Sequence, residues 1–220
     1  MERNEKKAYI AARAARELKD GDVVNLGIGL PTMVPDYLPA KVSLILQSEN
    51  GMLGVEAVTD LTGPDSVYIT DAGGNPSAVA AGGAFFDTVT SFSLIRGGHV
   101  DCTILGALEV DQEGNLANWI IPGKKVPGMG GAMDLVVGAK RVIVAMEHTA
   151  KGSHKIMKIC RLPLTAVKCV DLIITEMAVF KVTEKGLILT EYNPEYTLEE
   201  IRQATEADYL VAKDLQAMGK

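Results

Sequence analysis

The residues best suited to chemistry lie where an apolar run gives way to a short polar cluster. In LILQSENGMLG, at positions 44–54, the polar residues from Gln47 to Asn50 interrupt apolar ones, and Asn50-Gly51 favours a sharp turn. In an open parallel sheet, ligands bind outside the carboxyl ends of the strands. The carboxylate of Glu49 is therefore placed like a catalytic group, although an acidic residue in a turn is more commonly a solvated surface charge.

The glycines of NLGIGLPTMVP, at 25–35, indicate a second segment that can approach a ligand. Gly27 and Gly29 follow an apolar run, and Pro31 suits the first turn of a helix. The dinucleotide-binding pattern GxGxxG would require glycine at 32, where threonine stands, so that interpretation is weak. Bare backbone before a helix can offer amide donors to an anion, but the glycines fit equally well a turn that needs only a positive φ.

A third segment, PGKKVPGMGGAMD at 122–134, places four glycines before a helix predicted to begin near Ala132. They are Gly123, Gly128, Gly130 and Gly131. Backbone amides in such a loop could stabilise a developing oxyanion, and the loop could close over a site. A flexible connection with close backbone packing fits the spacing at least as well.

The histidines are weaker candidates. His99, His148 and His154 lack a metal-ligand spacing such as HExxH, which favours hydrogen-bonded structural roles. Glu147-His148 follows an apolar run and could touch a site, and the turn DAGGN at 71–75 could line the same cleft as Glu49.

Composition excludes several classes of function. The 220 residues include 22 Lys and Arg against 28 Asp and Glu, a net charge of -6, so no nucleic-acid partner is expected. The first residues are charged and amphipathic, and no run of about eighteen apolar residues follows, which predicts a cytoplasmic protein without membrane contact. Cys102, Cys160 and Cys169 are odd in number and lack CxxC spacing. They predict neither disulfides nor a zinc site, and we expect reduced, mostly buried thiols.

The order of apolar and glycine-rich segments predicts one α/β domain over residues 1–220. A first helix is predicted over 4–19, with Asn4 as N-cap and Gly21 beyond its end, and the capping box TLEE at 197–200 starts a final helix that ends near Ala204. Apolar runs rich in branched residues predict strands within 22–29, 42–47, 66–70, 101–110, 141–146 and 171–182. Helical stretches such as 83–98 and 131–140 lie between them, as is typical of an open, mostly parallel sheet covered by helices on both faces.

Taken together and in order, five segments resemble the second subunit of the family I, 3-oxoacid-type CoA-transferases. These segments are NLGIGLPTMVPDYLP, QSENGMLG, SFSLIRGGHVD, LGALEVDQEGNLANWIIPGK and VPGMGGAMDLV. The resemblance covers nearly the whole chain and is greatest to the β subunits of bacterial acetoacetate CoA-transferases that act with butyrate or acetate. It implies the three-layer α/β/α fold of that family and a transferase activity.

The resemblance implies that Glu49 is the nucleophile. Its carboxylate would attack an acyl-CoA thioester, pass through a mixed anhydride and be captured by CoA as a glutamyl-CoA thioester, which an incoming acid discharges. A backbone amide of Gly130 or Gly131 would stabilise the oxyanion, with the choice between the two glycines left open. The substrate and CoA pocket would be lined by Gly27, Gly29, Ser48, Asn50, Gly51 and Gly128. Coenzyme A would serve as substrate and covalent intermediate, with no permanently bound cofactor and no metal.

The resemblance also implies a partner. The two halves of this family are either fused or separate, and this chain carries the half with the glutamate, so we expect a hetero-oligomer with a CoA-transferase α subunit, of α2β2 or α4β4 type. The acyl specificity stays open among acetoacetate, butyrate, acetate, succinate and β-ketoadipate. Two alternatives also stay open: a CoA-thioester hydrolase of the same fold, and a non-catalytic regulator that binds a sugar phosphate or nucleotide.

Overall fold

The computed structural model of the protein describes residues 1–58, 68–124, 126 and 128–219. The helices within these residues are α1 Arg3–Ala15, a 3₁₀ helix Leu30–Tyr37, α2 Thr88–Arg96, α3 Ala132–Gly138 and α4 Leu198–Ala204. The strands are β1 Val23–Leu26, β2 Ile45–Ser48, β3 Met52–Ala57, β4 Ser77–Phe85, β5 Cys102–Leu105, β6 Glu109–Asp111, β7 Leu116–Ala117, β8 Val142–Ala145, β9 Thr149–Ala150, β10 Ser153–His154, β11 Ile156–Met157, β12 Leu172–Ile174, β13 Ala178–Thr183, β14 Gly186–Tyr192 and β15 Tyr209–Ala217. No helix among the described residues is both long enough and apolar enough to cross a membrane.

Ten of these strands form one mixed sheet in the order β15-β14-β13-β12-β8-β5-β1-β2-β3-β4. The central strands from β12 to β2 are parallel to one another. On one side, β3 and β4 add in antiparallel fashion. On the other side, β13 and β14 do the same, and β15 then pairs in parallel with β14. The predicted α/β class with a mostly parallel sheet is therefore confirmed, and the carboxyl ends of the central strands share one edge of the sheet.

Buried side chains of the central strands alternate between the two faces of the sheet. Ile104, Ile143 and Ile174 pack with Ile10 of α1 and Val34 of the 3₁₀ helix. The opposite face packs against α3 and α4 in a cluster that includes Leu105, Val136, Val144, Ile173 and Ile201. Full burial of an apolar side chain of this size stabilises the fold by about 1.5–3 kcal/mol. Helices therefore cover both faces, as the sequence predicts.

The first helix begins and ends earlier than predicted, whereas the last helix is as predicted. The N-cap of α1 is Glu2 and not Asn4, because the Glu2 backbone N–H donates to the Glu5 carboxylate at 2.7 Å. The helix ends at Ala15, after which the chain tightens into shorter turns. At α4, Thr197 is the N-cap, and its backbone N–H donates to the Glu200 carboxylate at 2.7 Å, which confirms the predicted capping box.

Two predicted strands are each divided in the structure. The 101–110 run forms β5 in the large sheet and β6 in a three-stranded sheet with β7 and β11. The 171–182 run is an antiparallel hairpin, because the chain reverses at Thr175, whose hydroxyl oxygen accepts the N–H of Ala178 at 3.0 Å. The two long apolar runs therefore predicted strands correctly but gave no sign of the break within each run.

Two further stretches also differ from the prediction. The 83–98 stretch, expected to be helical, begins as the end of β4 and becomes helical only at Thr88, where the Asp87 carboxylate accepts the Thr90 N–H at 2.7 Å. The predicted 66–70 strand lies partly outside the described residues, and within its described part Thr70 forms an isolated bridge with Pro76.

Candidate active site

A cleft of about 830 Å³ lies at the carboxyl ends of β1, β2 and β5. Its walls come from the turn after β1, the turn after β2, the turn at 71–77 and the loop at 128–132. Five of the predicted site residues line it together: Glu49, Ser48, Gly27, Gly128 and Gly130. This is the edge at which open α/β sheets bind their ligands.

A three-residue hairpin turn between β2 and β3 presents Glu49. The N–H of Gly51 donates to the Ser48 carbonyl oxygen at 3.0 Å, and the φ of Gly51 is 123°. A Cβ at Gly51 would overlap the carbonyl oxygen of Phe86, whose own N–H donates to the Gly51 carbonyl oxygen at 3.0 Å. Only glycine fits there, so the turn that carries Glu49 is held rigidly.

A buried chain of polar side chains orients the carboxylate of Glu49. Asn25 Nδ2 donates to Glu49 Oε2 at 3.2 Å and to Gln47 Oε1 at 2.7 Å. Gln47 Nε2 in turn donates to Ser91 Oγ of α2 at 3.0 Å. Because Asn25, Gln47 and Ser91 are all buried, water does not compete for these bonds. The sequence reasoning missed Asn25, although a single polar residue inside the apolar strand VVNL was a usable signal.

The glycine loop before α3 lies against the same carboxylate. A Cβ added to Gly131 would lie 3.2 Å from Glu49 Cγ and 3.4 Å from Phe92 Cζ. Gly130 has a φ of 49°, and a Cβ there would lie 3.9 Å from Glu49 Oε1. Both glycines therefore bring bare backbone to Glu49. Within the predicted 123–131 loop, Lys125 and Pro127 lie outside the described residues, and Gly123 is not on the cleft wall.

The turn at 71–75 closes another side of the cleft. The Asp71 carboxylate accepts the backbone N–H groups of Gly73 and Asn75, each at 2.8 Å. Ser48 Oγ accepts the N–H of Ala72 at 2.8 Å, which ties this turn to the hairpin that carries Glu49. The sequence-based expectation that the 71–75 turn lines the same cleft as Glu49 is confirmed.

The remaining predicted pocket residues lie beside the cleft and not on its wall. Asn50 is exposed, and its Nδ2 donates to the Thr70 carbonyl oxygen at 2.8 Å. Gly29 caps the 3₁₀ helix with a φ of 92° and is also exposed. The expected proline, Pro31, stands in the first turn, but the internal Pro35 lacks an N–H donor and the segment is not an α-helix.

The comparison with protein families decides the class of this site. A family model described as Coenzyme A transferase matches residues 7–204. The chain belongs to the coenzyme A transferase family.

Individual CoA-transferases are similar to this chain over nearly its whole length. The beta subunit of the acetate CoA-transferase of Haemophilus influenzae is 57% identical over 213 residues, which are 96% of this chain and 95% of that protein. One subunit of the succinyl-CoA:3-ketoacid coenzyme A transferase of Helicobacter pylori is 47% identical over 203 residues, 92% of this chain and 97% of that protein. A crystal structure of an acyl-CoA transferase apoenzyme from Escherichia coli O157:H7 is similar with a TM-score of 0.76 at 24% identity, which shows the shared fold. The match covers 97% of this chain and 43% of that longer chain.

In this CoA-transferase chain, the most buried histidine has a structural environment. His148 Nδ1 lies 2.8 Å from Thr175 Oγ1, and Nε2 lies 2.9 Å from Thr205 Oγ1. Burial lowers the pKa of His148 to about 3, so the ring is neutral and its single N–H donates to one of the two threonine hydroxyls. The structural role expected from the sequence is confirmed for His148.

The cysteines are also unsuited to nucleophilic chemistry. All three are free thiols, of which Cys102 is buried and Cys160 and Cys169 are partly buried. Burial raises the pKa of Cys102 and of Cys169 to about 11, and that of Cys160 still higher. The reactive thiolate is therefore scarce at neutral pH. Within the described ranges, no three His, Cys, Asp or Glu residues come close enough to hold a metal ion.

Proposed function

We propose that this chain is the glutamate-bearing subunit of a CoA-transferase and that Glu49 is its nucleophile. The observation that carries this proposal is the position of the Glu49 carboxylate, which lies on the cleft wall between a buried donor, Asn25, and the bare backbone of Gly130 and Gly131. A rigid carboxylate flanked by backbone that can supply donors is what attack on a thioester requires.

The proposed steps balance without an external oxidant, metal or ATP. A Glu49 carboxylate oxygen attacks the thioester carbonyl carbon, the C–S bond breaks, and CoA leaves as a thiolate from a mixed acyl-glutamyl anhydride. The thiolate then attacks the glutamyl carbonyl carbon and releases the first acid as its carboxylate. A second carboxylic acid reverses both steps, so that one thioester replaces another and no net proton is consumed.

Each attack creates a tetrahedral oxyanion that needs hydrogen-bond donors. An oxyanion donor in other enzymes lowers the barrier by about 3–4 kcal/mol. The approach of Gly130 and Gly131 to Glu49 supports a backbone donor from this loop, and either glycine satisfies the proposal. Gly128 and Gly27 would border the acyl or CoA group, since both line the same cleft.

The names of the relatives support a two-subunit enzyme for short acids. Each of the two relatives is named as one subunit, the first of an acetate CoA-transferase and the second of a succinyl-CoA:3-ketoacid CoA-transferase. We therefore propose an α subunit as partner, in an α2β2 or α4β4 assembly, and acetate or a 3-oxo acid such as acetoacetate as a substrate. The E. coli transferase of the same fold has been solved as a thioester complex with CoA, which is consistent with CoA as substrate here. One domain over 1–220 and a cytoplasmic location remain predictions.

The test is a reconstitution assay with acetoacetyl-CoA and acetate. The transfer of CoA is measured for this chain alone, for a separately produced α subunit and for the two together, and only the mixture is expected to be active. Full activity from this chain alone would refute the shared site. Steady release of CoA without an acceptor acid would favour the hydrolase, and ligand binding without any turnover would favour the regulator.

A further inference from the structure

A second cavity, of about 510 Å³, opens beside the active-site cleft, and we refer to it as the side cavity. Three wall residues, Ile28, Gly106 and Ala107, belong to both. Ala145 and Met146, at the end of β8, form another part of its wall. An acyl thioester that approaches the cleft therefore comes close to the side cavity as well.

The backbone holds Lys155 in the wall of this cavity. Lys155 lies between β10 and β11, and its carbonyl oxygen accepts the N–H of Val110 in β6 at 2.9 Å. The next residue, Ile156, is fully buried and pairs with the same strand. The side chain of Lys155 therefore starts from a fixed position, and it is half-buried.

The amine of Lys155 has no counterion among the described residues. The two carboxylates whose charges act on it are both paired with other cations. Glu147 pairs with Arg3 at 3.5 Å, and Glu176 pairs with Lys6 at 3.0 Å. Within the same residues, Lys155 Nζ also donates no hydrogen bond to the protein. Once this amine loses its proton, its lone pair is free to react.

Desolvation makes the loss of that proton easy. It lowers the pKa of Lys155 to about 8, although Glu147 and Glu176 act in the opposite direction. About a quarter of the Lys155 side chains are then neutral at pH 7.5, compared with roughly one in a thousand for an ordinary lysine of pKa about 10.4. A lysine desolvated in this way is an activated nucleophile toward a carbonyl carbon.

The wall around Lys155 also suits a short acyl chain. Ile28, Ala107, Ala145 and Met146 give the side cavity an apolar surface. Contact with this surface removes the hydrocarbon part of an acyl group from water, which favours its entry into the cavity. The side cavity thus combines a reactive amine with space for the group that the amine would receive.

We propose that Lys155 is a modification site, at which an acyl-CoA thioester acylates the protein. The neutral amine attacks the thioester carbonyl carbon, so that a C–N bond forms, the C–S bond breaks and the surplus proton of the nitrogen passes to the departing thiolate. The products are an N-acyl-lysine and free CoA, and the step requires no oxidant, metal or nucleotide. An amide is a much poorer acyl donor than a thioester, so the modification persists. The step does not involve Glu49 and therefore goes beyond the proposed function.

The first arm of the test measures acylation by acetyl-CoA of this chain reconstituted with its partner subunit. Mass spectrometry follows the occupancy of each lysine with time at pH 7.5. Two lysines of the same sample serve as references: Lys151, which is exposed and lines the same cavity, and Lys185, in an exposed turn outside it. Lys155 is expected to react at least about tenfold faster than either. In the urea-unfolded chain, the three rates should agree within about twofold, because burial is lost.

Two results of this arm would overturn the proposal. The first is a rate at Lys155 no greater than that at Lys185. The second is an equal rate at Lys155 and Lys151, since access to the cavity would then determine the reaction, and the burial of Lys155 would not.

The second arm separates this site from the proposed nucleophile. The Glu49→Gln complex should acylate Lys155 within about twofold of the wild-type rate, since the two sites react independently. Loss of the label in that variant would overturn the direct attack, because the acyl group would then come from Glu49.

Trace acetic anhydride, which needs no CoA site, gives the third arm. It should label Lys155 with a half-maximal rate near pH 8. If the wild-type complex transfers no CoA, the proposed function fails, and the anhydride still decides whether Lys155 is the reactive amine. A rate with anhydride at pH 7.5 no greater than that of Lys185 would overturn the proposal.

Discussion

Two clusters of buried polar side chains lie at the same edge of the sheet, and only one of them opens onto the cleft. The first runs from Ser91 through Gln47 and Asn25 to Glu49. Its last member, Glu49, keeps Oε1 without a hydrogen-bond partner among the described residues. That oxygen lies beside the glycine loop and is available for chemistry.

The second cluster surrounds His148 and is closed, in the sense that its hydrogen bonds are made within the protein. Both ring nitrogens have threonine partners, and the His148 backbone N–H donates to Glu176 Oε2 at 2.8 Å. Glu176 is itself buried and paired with Lys6 at 3.0 Å. Burial and polarity are thus shared by both clusters. What distinguishes the proposed site is an acceptor left free at a cleft, whereas both ring nitrogens and the backbone N–H of His148 have partners within the protein.

The largest expected effect is a loss of activity when Glu49, in the first cluster, is substituted. Glu49→Gln keeps an acceptor for Asn25 but removes the carboxylate that we propose as the nucleophile, so kcat should fall by on the order of 10⁴-fold, as for the loss of other covalent nucleophiles. The free energy of unfolding should change by less than about 0.5 kcal/mol. Steady-state kinetics and urea unfolding check both parts. Glu184→Gln, in an exposed turn, is the control and should alter neither quantity.

The converse change is expected at His148. His148→Ala leaves a cavity and removes a partner from two buried threonines, so the free energy of unfolding should fall by about 2–4 kcal/mol. The kcat of the folded protein should remain unchanged. Denaturant titration and kinetics on the same sample test this, with His99→Ala at an exposed position as the control. A large loss of kcat without loss of stability would contradict the structural role.

Asn25 should affect activity through Glu49. Asn25→Ala frees the carboxylate to rotate, so kcat should fall about thirtyfold with little change in KM, since loss of a buried hydrogen bond to a charged group is worth about 2 kcal/mol. Stability should fall as well, because Gln47 Oε1 loses its donor. If only stability falls and kcat is retained, Asn25 supports the fold and does not position Glu49.

Gly131 tests how closely the loop must approach. Gly131→Ala places a Cβ 3.2 Å from Glu49 Cγ, and a shift of a few tenths of an ångström should lower kcat about tenfold. Gly21→Ala is the comparison, because its φ of 81° makes alanine strained while nothing lies within 4 Å of the added Cβ. That variant should lose about 1 kcal/mol of stability and no activity. Equal activity of the two variants would contradict the close approach.

The smallest effect is a pH dependence of stability from the closed cluster. The pKa of His148 is lowered from 6.5 to about 3 on folding, so below pH 6.5 the unfolded chain binds more protons than the folded one. The contribution of the neutral His148 ring to the free energy of unfolding is complete above about pH 6.5. It declines toward pH 3, by at most about 1.4 kcal/mol per pH unit. The free energy of unfolding, measured with urea at pH 7.5 and at pH 5.5, should differ less between the two pH values in His148→Gln than in the wild type. Equal differences in the variant and the wild type would contradict the assignment of this pH dependence to His148.

The sequence predicted the position of Glu49 because local chemistry determines it. Asn50-Gly51 sets the hairpin turn, and an apolar strand precedes it, so the carboxylate falls at the end of β2. The capping box at Thr197 is equally local. The two edge strands, β4 and β15, were not predicted, because their residue patterns do not indicate a strand. β4 is rich in alanine and glycine, and the inward and outward residues of β15 do not alternate regularly, so neither resembles a buried strand.

The contact between Asn25 and Glu49 could not be derived from spacing. Asn25 and Glu49 meet because β1 and β2 are parallel neighbours, which aligns Asn25 with Gln47. Pairing between strands is a property of the whole sheet and is not encoded in either segment alone.

The most direct test of the central claim is covalent trapping. The reconstituted complex is mixed with acetoacetyl-CoA, treated with borohydride to reduce the enzyme thioester to an alcohol, and mapped by mass spectrometry. We predict that the modification lies on Glu49 and is absent from Glu49→Gln. Labelling of another residue, or none in a complex that turns over its substrate, would contradict the proposal that Glu49 carries CoA between the two acids.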